Sequence, residues 1–128
     1  NRYLAKLMNS YGQYNVVLSE NHHTEKIDSP SGTAISTANQ IIDQVQRKQE
    51  WVENNPNTKK NEINIFSQRT PGIIGDHGVT YTSEIDSISL LHSAKNRDGF
   101  AKGAVLAAEL IVSRKGFHTF SELLNLEK

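Results

Sequence analysis

The sequence predicts an α/β fold of the α+β type, a small mixed four-stranded sheet covered by helices. Three observations lead there. Short runs rich in β-branched residues are bounded by turn formers, two longer segments repeat apolar residues at helical spacing, and the two kinds alternate along 128 residues. A chain of that length makes one ordinary domain and buries about two-thirds of its unfolded surface without staples.

At the start, Leu4, Leu7, Met8 and Tyr11 lie on one helical face and Gly12 offers a stop. YNVVLSE (residues 14–20) reads as a strand. After a polar loop, Ala34, Ala38, Ile41, Ile42 and Val45 recur at the spacing of an amphipathic helix. EWVENNPNTKKNE (50–62) is polar and broken by Pro56, so an exposed loop is expected. INIFSQR (63–69) is a second strand, and the glycine-rich RTPGIIGDHG (69–78) is at least partly loop. VTYTS (79–83) and DSISLLH (86–92) form a hairpin around Glu84 and Ile85. From Asp98 the chain is helical again. Phe100, Ala104, Ala107, Ala108 and Ile111 share a face, and Leu106 and Leu110 lie off it, a pattern that asks for cover on more than one side. TFSELLNL (119–126) is a last short helix, with Ser121 or Thr119 as its cap.

Composition narrows the function classes. Fourteen basic residues balance fourteen acidic ones, which gives no electrostatic reason to expect nucleic acid or an anionic membrane. The absence of cysteine removes disulfides, thiolate metal sites and thiol nucleophiles, and fits a reducing, cytoplasmic setting. No apolar run approaches the ~20 residues that span a bilayer. The chain opens NRYLAKLMNS without an initiator methionine, which suggests a piece of something longer.

The chemistry concentrates in ENHHTEKIDSPSGTA (20–34). Ser29 suits an N-cap and Pro30 the first helical position. The N–H groups of Ser31, Gly32 and Thr33 would then be free at a helix terminus that carries roughly half a positive charge. Gly32 admits a ligand close to the backbone, and the hydroxyls of Ser31 and Thr33 add donors. The result is a carboxylate or phosphate cradle. Lys26 lies just upstream, with His22 and His23 before it. Adjacent histidines in an extended segment point to opposite sides and so do different jobs. A lysine and an imidazole beside such a cradle bind carboxylates and can deliver a proton, and the cationic surroundings lower the imidazole's pKa. The same residues also allow a well-capped helix beside an exposed histidine pair. Metal binding through His22, His23, Glu20 or Asp28 is disfavoured, because neighbours in sequence do not easily meet on one ion and Lys26 repels a cation. Asp28 also reads as a salt-bridge partner of Lys26.

The pattern E-x-H-H-x-x-K-x-D-x-P-S-G-T-A resembles the signature of dihydrodipicolinate reductase, an enzyme family of lysine and diaminopimelate biosynthesis. Glu20, His22, His23, Lys26, Asp28, Pro30, Ser31, Gly32, Thr33 and Ala34 all fit it. The likeness continues through Arg69, Gly75 and His77 and into LLHSAKNRDGFAKGAVLAAELI (90–111), so it covers nearly the whole chain. Pro71 departs from a glycine usual in the family, and Asn21 from a small or apolar residue.

The resemblance implies a C-terminal substrate-binding and tetramerisation domain over 1–128. Its segment 98–128 would pack toward an N-terminal nucleotide-binding domain. It implies reduction of a dihydrodipicolinate-type ring by NADH or NADPH, with His22 the general-acid candidate and Lys26 assisting. His23, Ser31, Gly32 and Thr33 would hold the substrate carboxylates. The cofactor would be bound by the N-terminal domain and by no residue of this segment, no metal is implied, and the partners would be a small dicarboxylate and further copies in a homotetramer. A non-catalytic oligomerisation or anion-binding module is the alternative from another class.

Overall fold

The computed structural model describes residues 1–126, which fall into two compact units, residues 1–93 and residues 94–126. The first unit carries a five-stranded mixed sheet in the order β2-β3-β1-β4-β5. Its strands are β1 (Asn15–His22), β2 (Glu50–Glu53), β3 (Glu62–Arg69), β4 (Asp76–Thr82) and β5 (Ser87–Ser93). β1 is central: β3 runs parallel to it on one side and β4 antiparallel on the other. β2 runs parallel to β3 at one edge, and β5 closes the hairpin with β4 at the other.

Two helices, α1 (Arg2–Met8) and α2 (Gly32–Ile42), lie on one face. The strand period of two sends Val16 and Leu18 of β1, Ile63 and Ile65 of β3, and Val79 and Tyr81 of β4 into that face. They meet Ala5 and Met8 of α1, Ala34, Ala38 and Ile41 of α2, and Val45 just beyond it. Small residues at 34 and 38 let α2 approach the sheet closely. Truncating Ile65 to alanine in this core costs about 2–5 kcal/mol.

Two expectations are corrected here. The sheet has five strands, not four: residues 50–53, expected as loop, form β2. Its ends are Glu50 and Glu53, so the segment reads as polar, but Trp51 packs against the core and Val52 pairs in register with Asn64. Only the remainder, 54–61, is loop. Within the first unit, helices cover one face of the sheet only. The other face presents Phe66 and Leu91, which are exposed within this chain.

The second unit contains α3 (Asp98–Ile111) and α4 (Phe120–Leu123), with α4 against α3. Thr119 is the cap: its hydroxyl accepts the Glu122 N–H, and the Glu122 carboxylate accepts the Thr119 N–H. No residue of α3 is buried, although its apolar side chains run along much of its surface. The segment expected over 98–128 extends two residues past those described.

Candidate active site

The alternation that builds the core also builds the site. Along β1 the buried row continues from Val16 and Leu18 to Glu20 and His22. At the carboxyl end of the strand the core face therefore changes from hydrocarbon to ionisable groups. In register, His22 lies beside Arg69 of β3, and Glu20 lies beside His77 of β4. Ligands of open α/β sheets bind at the carboxyl ends of parallel strands, and β1 and β3 bring His22 and Arg69 to that end.

Glu20 is 2% exposed. Its two carboxylate oxygens accept the Ser31 N–H at 3.1 and 3.2 Å, and Arg69 Nη1 lies 3.5 Å from Oε1. Burial is the largest influence on this carboxyl and opposes its ionisation. The Ser31 hydroxyl and amide, with the charge on His22, outweigh burial and hold the group below its ordinary value.

His22 is 8% exposed, and its Nδ1 lies 3.7 Å from Glu20 Oε2. That is too long for a hydrogen bond, and the atom has no other partner. The His77 ring stands edge-on to it, with centroids 5.0 Å apart. Burial lowers the His22 pKa, Glu20 opposes this, and Lys26 and Arg69 lower it further. On the other side of the ring is Gly75, where a β-carbon would come within 3.3 Å of Cδ2 and Nε2. The glycine leaves the Nε2 edge open.

His23 follows the strand and is half-buried, its Nδ1 enclosed and without a hydrogen-bond partner. A turn brings the Lys26 N–H onto the His23 carbonyl at 3.2 Å. Arg69 then ties this loop to β3, donating to the carbonyls of Lys26 and Asp28 at 3.4 and 2.6 Å. The Lys26 ammonium grips both oxygens of Asp28, at 2.7 and 2.9 Å. This contact, helped by the Gly32 amide, holds the Asp28 carboxyl below its ordinary value. An internal carboxylate thus already touches the cation and the helix terminus expected to receive an external one.

The head of α2 differs in detail from the sequence expectation. The N-cap is Ser31, not Ser29, and Gly32 rather than Pro30 opens the helix; the Ser29–Pro30 peptide is cis. The Ser31 hydroxyl accepts the Ala34 N–H, and its own N–H is committed to Glu20. The Ser31 amide is therefore not free, because a buried tertiary carboxylate has claimed it. Gly32 and Thr33 remain at the exposed helix head. A cavity of about 190 Å³ adjoins Thr33 between α2 and the sheet, lined by Ala34, Thr37, His77, Val79 and His92 among others.

A larger cavity, about 690 Å³, lies at the amino ends of β1 and β3 and contains none of the expected site residues. Three of its cations are engaged internally: Arg47 donates to backbone carbonyls from Met8 to Tyr14, and Lys48 and Lys59 are bonded within the chain, while Lys60 also lines it. The expected residues gather instead at the opposite, histidine-bearing end of β1 and β3.

Among the described residues one group could close on a metal, Glu20 with His22 and His77, whose ligand atoms lie within 4.8 Å of one another. It excludes His23 and Asp28, two members of the set the sequence offered. Glu20 is already occupied by Ser31 and Arg69, and Lys26 and Arg69 both bear on His22, so the surroundings disfavour a cation here. Sequence reasoning overlooked the central position of Glu20 and the space left by Gly75. The alternation V-x-L-x-E-x-H from Val16 was the available signal for Glu20.

Comparison with known proteins gives the family. A family model described as "Dihydrodipicolinate reductase, C-terminus" matches residues 1–124. A 4-hydroxy-tetrahydrodipicolinate reductase of Christiangramia forsetii is 42% identical over 125 residues, covering 98% of this chain and 52% of that protein. One from Clostridium botulinum is 35% identical, covering 92% and 49%. A solved structure of dipicolinate-bound dihydrodipicolinate reductase from Paenisporosarcina sp. TG-14 superposes with a TM-score of 0.63 at 30% identity, covering 86% of this chain and 44% of that one. The chain spans about half the length of the relatives it matches. Motif, fold and relatives agree, and the chain belongs to the dihydrodipicolinate reductase family, in the part described by the C-terminal family model.

Proposed function

We propose that this chain is the substrate-binding and oligomerisation part of an NAD(P)H-dependent reductase acting in lysine and diaminopimelate biosynthesis in the cytoplasm. The reductase converts dihydrodipicolinate (4-hydroxy-tetrahydrodipicolinate) to tetrahydrodipicolinate. One observation carries the reading: a cation, a helix N-terminus and a buried imidazole converge at the carboxyl ends of β1 and β3. A relative of the same fold binds dipicolinate, a planar dicarboxylate.

The amides of Gly32 and Thr33, the Thr33 hydroxyl and His23 receive the substrate carboxylates, and Lys26 supplies the neutralising charge. Ser31 contributes by fixing the helix head, since its amide and hydroxyl are engaged. His22 gives a proton to the ring, and its burial among cations makes its imidazolium a ready donor. Lys26 assists by stabilising negative charge as it develops. The residues present do not fit a dinucleotide: the loop from His23 to Ser31 has no glycine, and the Ser31 amide is taken. A reduced nicotinamide held elsewhere in the full-length protein supplies the hydride. In this reading residues 98–128 pack toward that nucleotide-binding part. The helix-free face of the sheet, with Phe66 and Leu91, meets further copies in a homotetramer.

Titrating pyridine-2,6-dicarboxylate into the chain in metal-free buffer, with histidine resonances followed by NMR, tests the cradle. Saturable shifts at His22 and His23, lost in Lys26→Ala, are expected. In the full-length reductase Lys26→Ala should lower kcat by roughly 10²- to 10⁴-fold with folding intact. A near-normal kcat would refute the role given to Lys26.

A further inference from the structure

Glu20 joins pieces of the site that the proposed mechanism treats separately. From the buried face of β1 it receives the Ser31 N–H that sets the head of α2, and it faces Arg69 of β3, which pins the Lys26–Asp28 loop. Its Oε2 also lies 3.7 Å from His22 Nδ1, an enclosed atom with no hydrogen-bond partner. We propose that Glu20 is a positioning residue for the proton donor: its carboxylate holds the His22 proton on Nδ1, leaving Nε2 to exchange a proton with the ligand, while the same carboxylate fixes the carboxylate-binding helix head.

The chemistry follows from the two nitrogens. A carboxylate facing Nδ1 favours the neutral tautomer protonated there, because the alternative sets a lone pair against negative charge. Nε2 then lies on the edge kept clear by Gly75. When Nε2 takes up a proton, the imidazolium forms beside Glu20, which stabilises it. That stabilisation matters because every other influence of consequence acts against it. Lys26 from the loop, Arg69 from β3 and burial itself disfavour the cation, and the edge-on His77 of β4 brings no negative charge. Among the described residues the other anion bearing on His22 is Asp28, and it is exposed and paired with Lys26. A residue that only anchored α2 would need its contact with Ser31 and nothing from His22.

This inference rests on the proposed role of His22, but its test does not require turnover. In ¹⁵N-histidine-labelled wild-type chain, His22 should show the tautomer protonated at Nδ1; the Nε2-protonated tautomer would overturn the proposal. That measurement needs no variant and so cannot be lost to misfolding. In Glu20→Gln the amide oxygen still accepts the Ser31 N–H, but the charge is gone. The His22 pKa should fall, and in the full-length reductase kcat should drop by roughly 10- to 100-fold with little change in KM. A His22 pKa that stays or rises in a folded Glu20→Gln would refute the coupling. A normal kcat in His22→Gln would instead sink the catalytic reading, and the tautomer would still decide the part played by Glu20.

Discussion

Lys48 is 3% exposed, and its ammonium donates to Asn15 Oδ1, the Lys60 carbonyl and the Glu62 carbonyl at 2.7, 2.8 and 2.7 Å. It ties the amino ends of β1 and β3 together, at the far end of the strand pair from His22. Burial, reinforced by Arg47 and partly offset by Glu62, lowers its pKa from 10.5 to about 8. The unfolded chain keeps the ordinary value, so between about pH 8 and 10.5 it binds more protons than the folded protein. Stability contributed by this group therefore rises with pH across that window. The full difference, ~2.5 in pKa, amounts to about 3 kcal/mol, of which about 2 kcal/mol is regained between pH 7 and 9.5. Lys48→Met removes the charge penalty of about 3 kcal/mol but strands three acceptors at about 1–3 kcal/mol each, so a net loss of up to about 6 kcal/mol is expected at pH 7. Urea unfolding of both proteins should show the gap between them widening by about 2 kcal/mol at pH 9.5. Tyr81, which burial raises to about 12, is present in both and cancels. A gap that stays constant or narrows with pH would refute the assignment of the penalty to a buried ammonium.

Gly75→Ala places a methyl 3.3 Å from His22 Cδ2 and Nε2, and should lower kcat in the full-length reductase by roughly tenfold or more at little cost in melting temperature. Normal turnover would show that the Nε2 edge is not the working one. Asp28→Asn removes the carboxylate that occupies Lys26, and isothermal titration should show pyridine-2,6-dicarboxylate binding severalfold more tightly. Weaker binding would mean that Asp28 orients the lysine rather than competing with the ligand. If the proposed assembly uses the Phe66–Leu91 face, replacing both with serine should shift sedimentation of the full-length protein toward smaller species, and an unchanged sedimentation coefficient would refute that interface.

Periodicity made most of the fold legible. The apolar spacing of Ala34, Ala38, Ile41 and Val45 located α2 and its buried face, and the hairpin was recognisable despite its unremarkable turn, in which Ser83 Oγ and Asp86 supply the bonds. β2 was hidden because a four-residue edge strand flanked by glutamates offers too little alternation, and Trp51 alone does not establish a period. The site residues were legible as a set, through motif and charge, but not their connections. The N-cap was misplaced by two residues because local propensity favours Ser29 before Pro30. What places the cap at Ser31 is Glu20, eleven residues upstream on the buried face of β1, and no local rule registers such a partner.

That long-range partner explains why the loop from Glu20 to Ala34 is so crowded. A site that grips dianions must be cationic, and a buried donor in a cationic site loses its proton before it can use it. In the proposed reading Lys26 and the α2 terminus serve the grip, while Lys26 and Arg69 both lower the His22 pKa. One buried carboxylate on the donor's own strand, two residues before it, resolves the conflict. The strand period places Glu20 on the same face as His22, and the Ser31 hydroxyl and amide keep Glu20 ionised despite its burial. The same bonds hold the helix head and the lysine loop at fixed distance from the imidazole. On the proposed roles, grip and proton donation are coupled through one side chain, and moving Glu20 perturbs both, whereas Lys26 or Thr33 can be altered with the donor left in place.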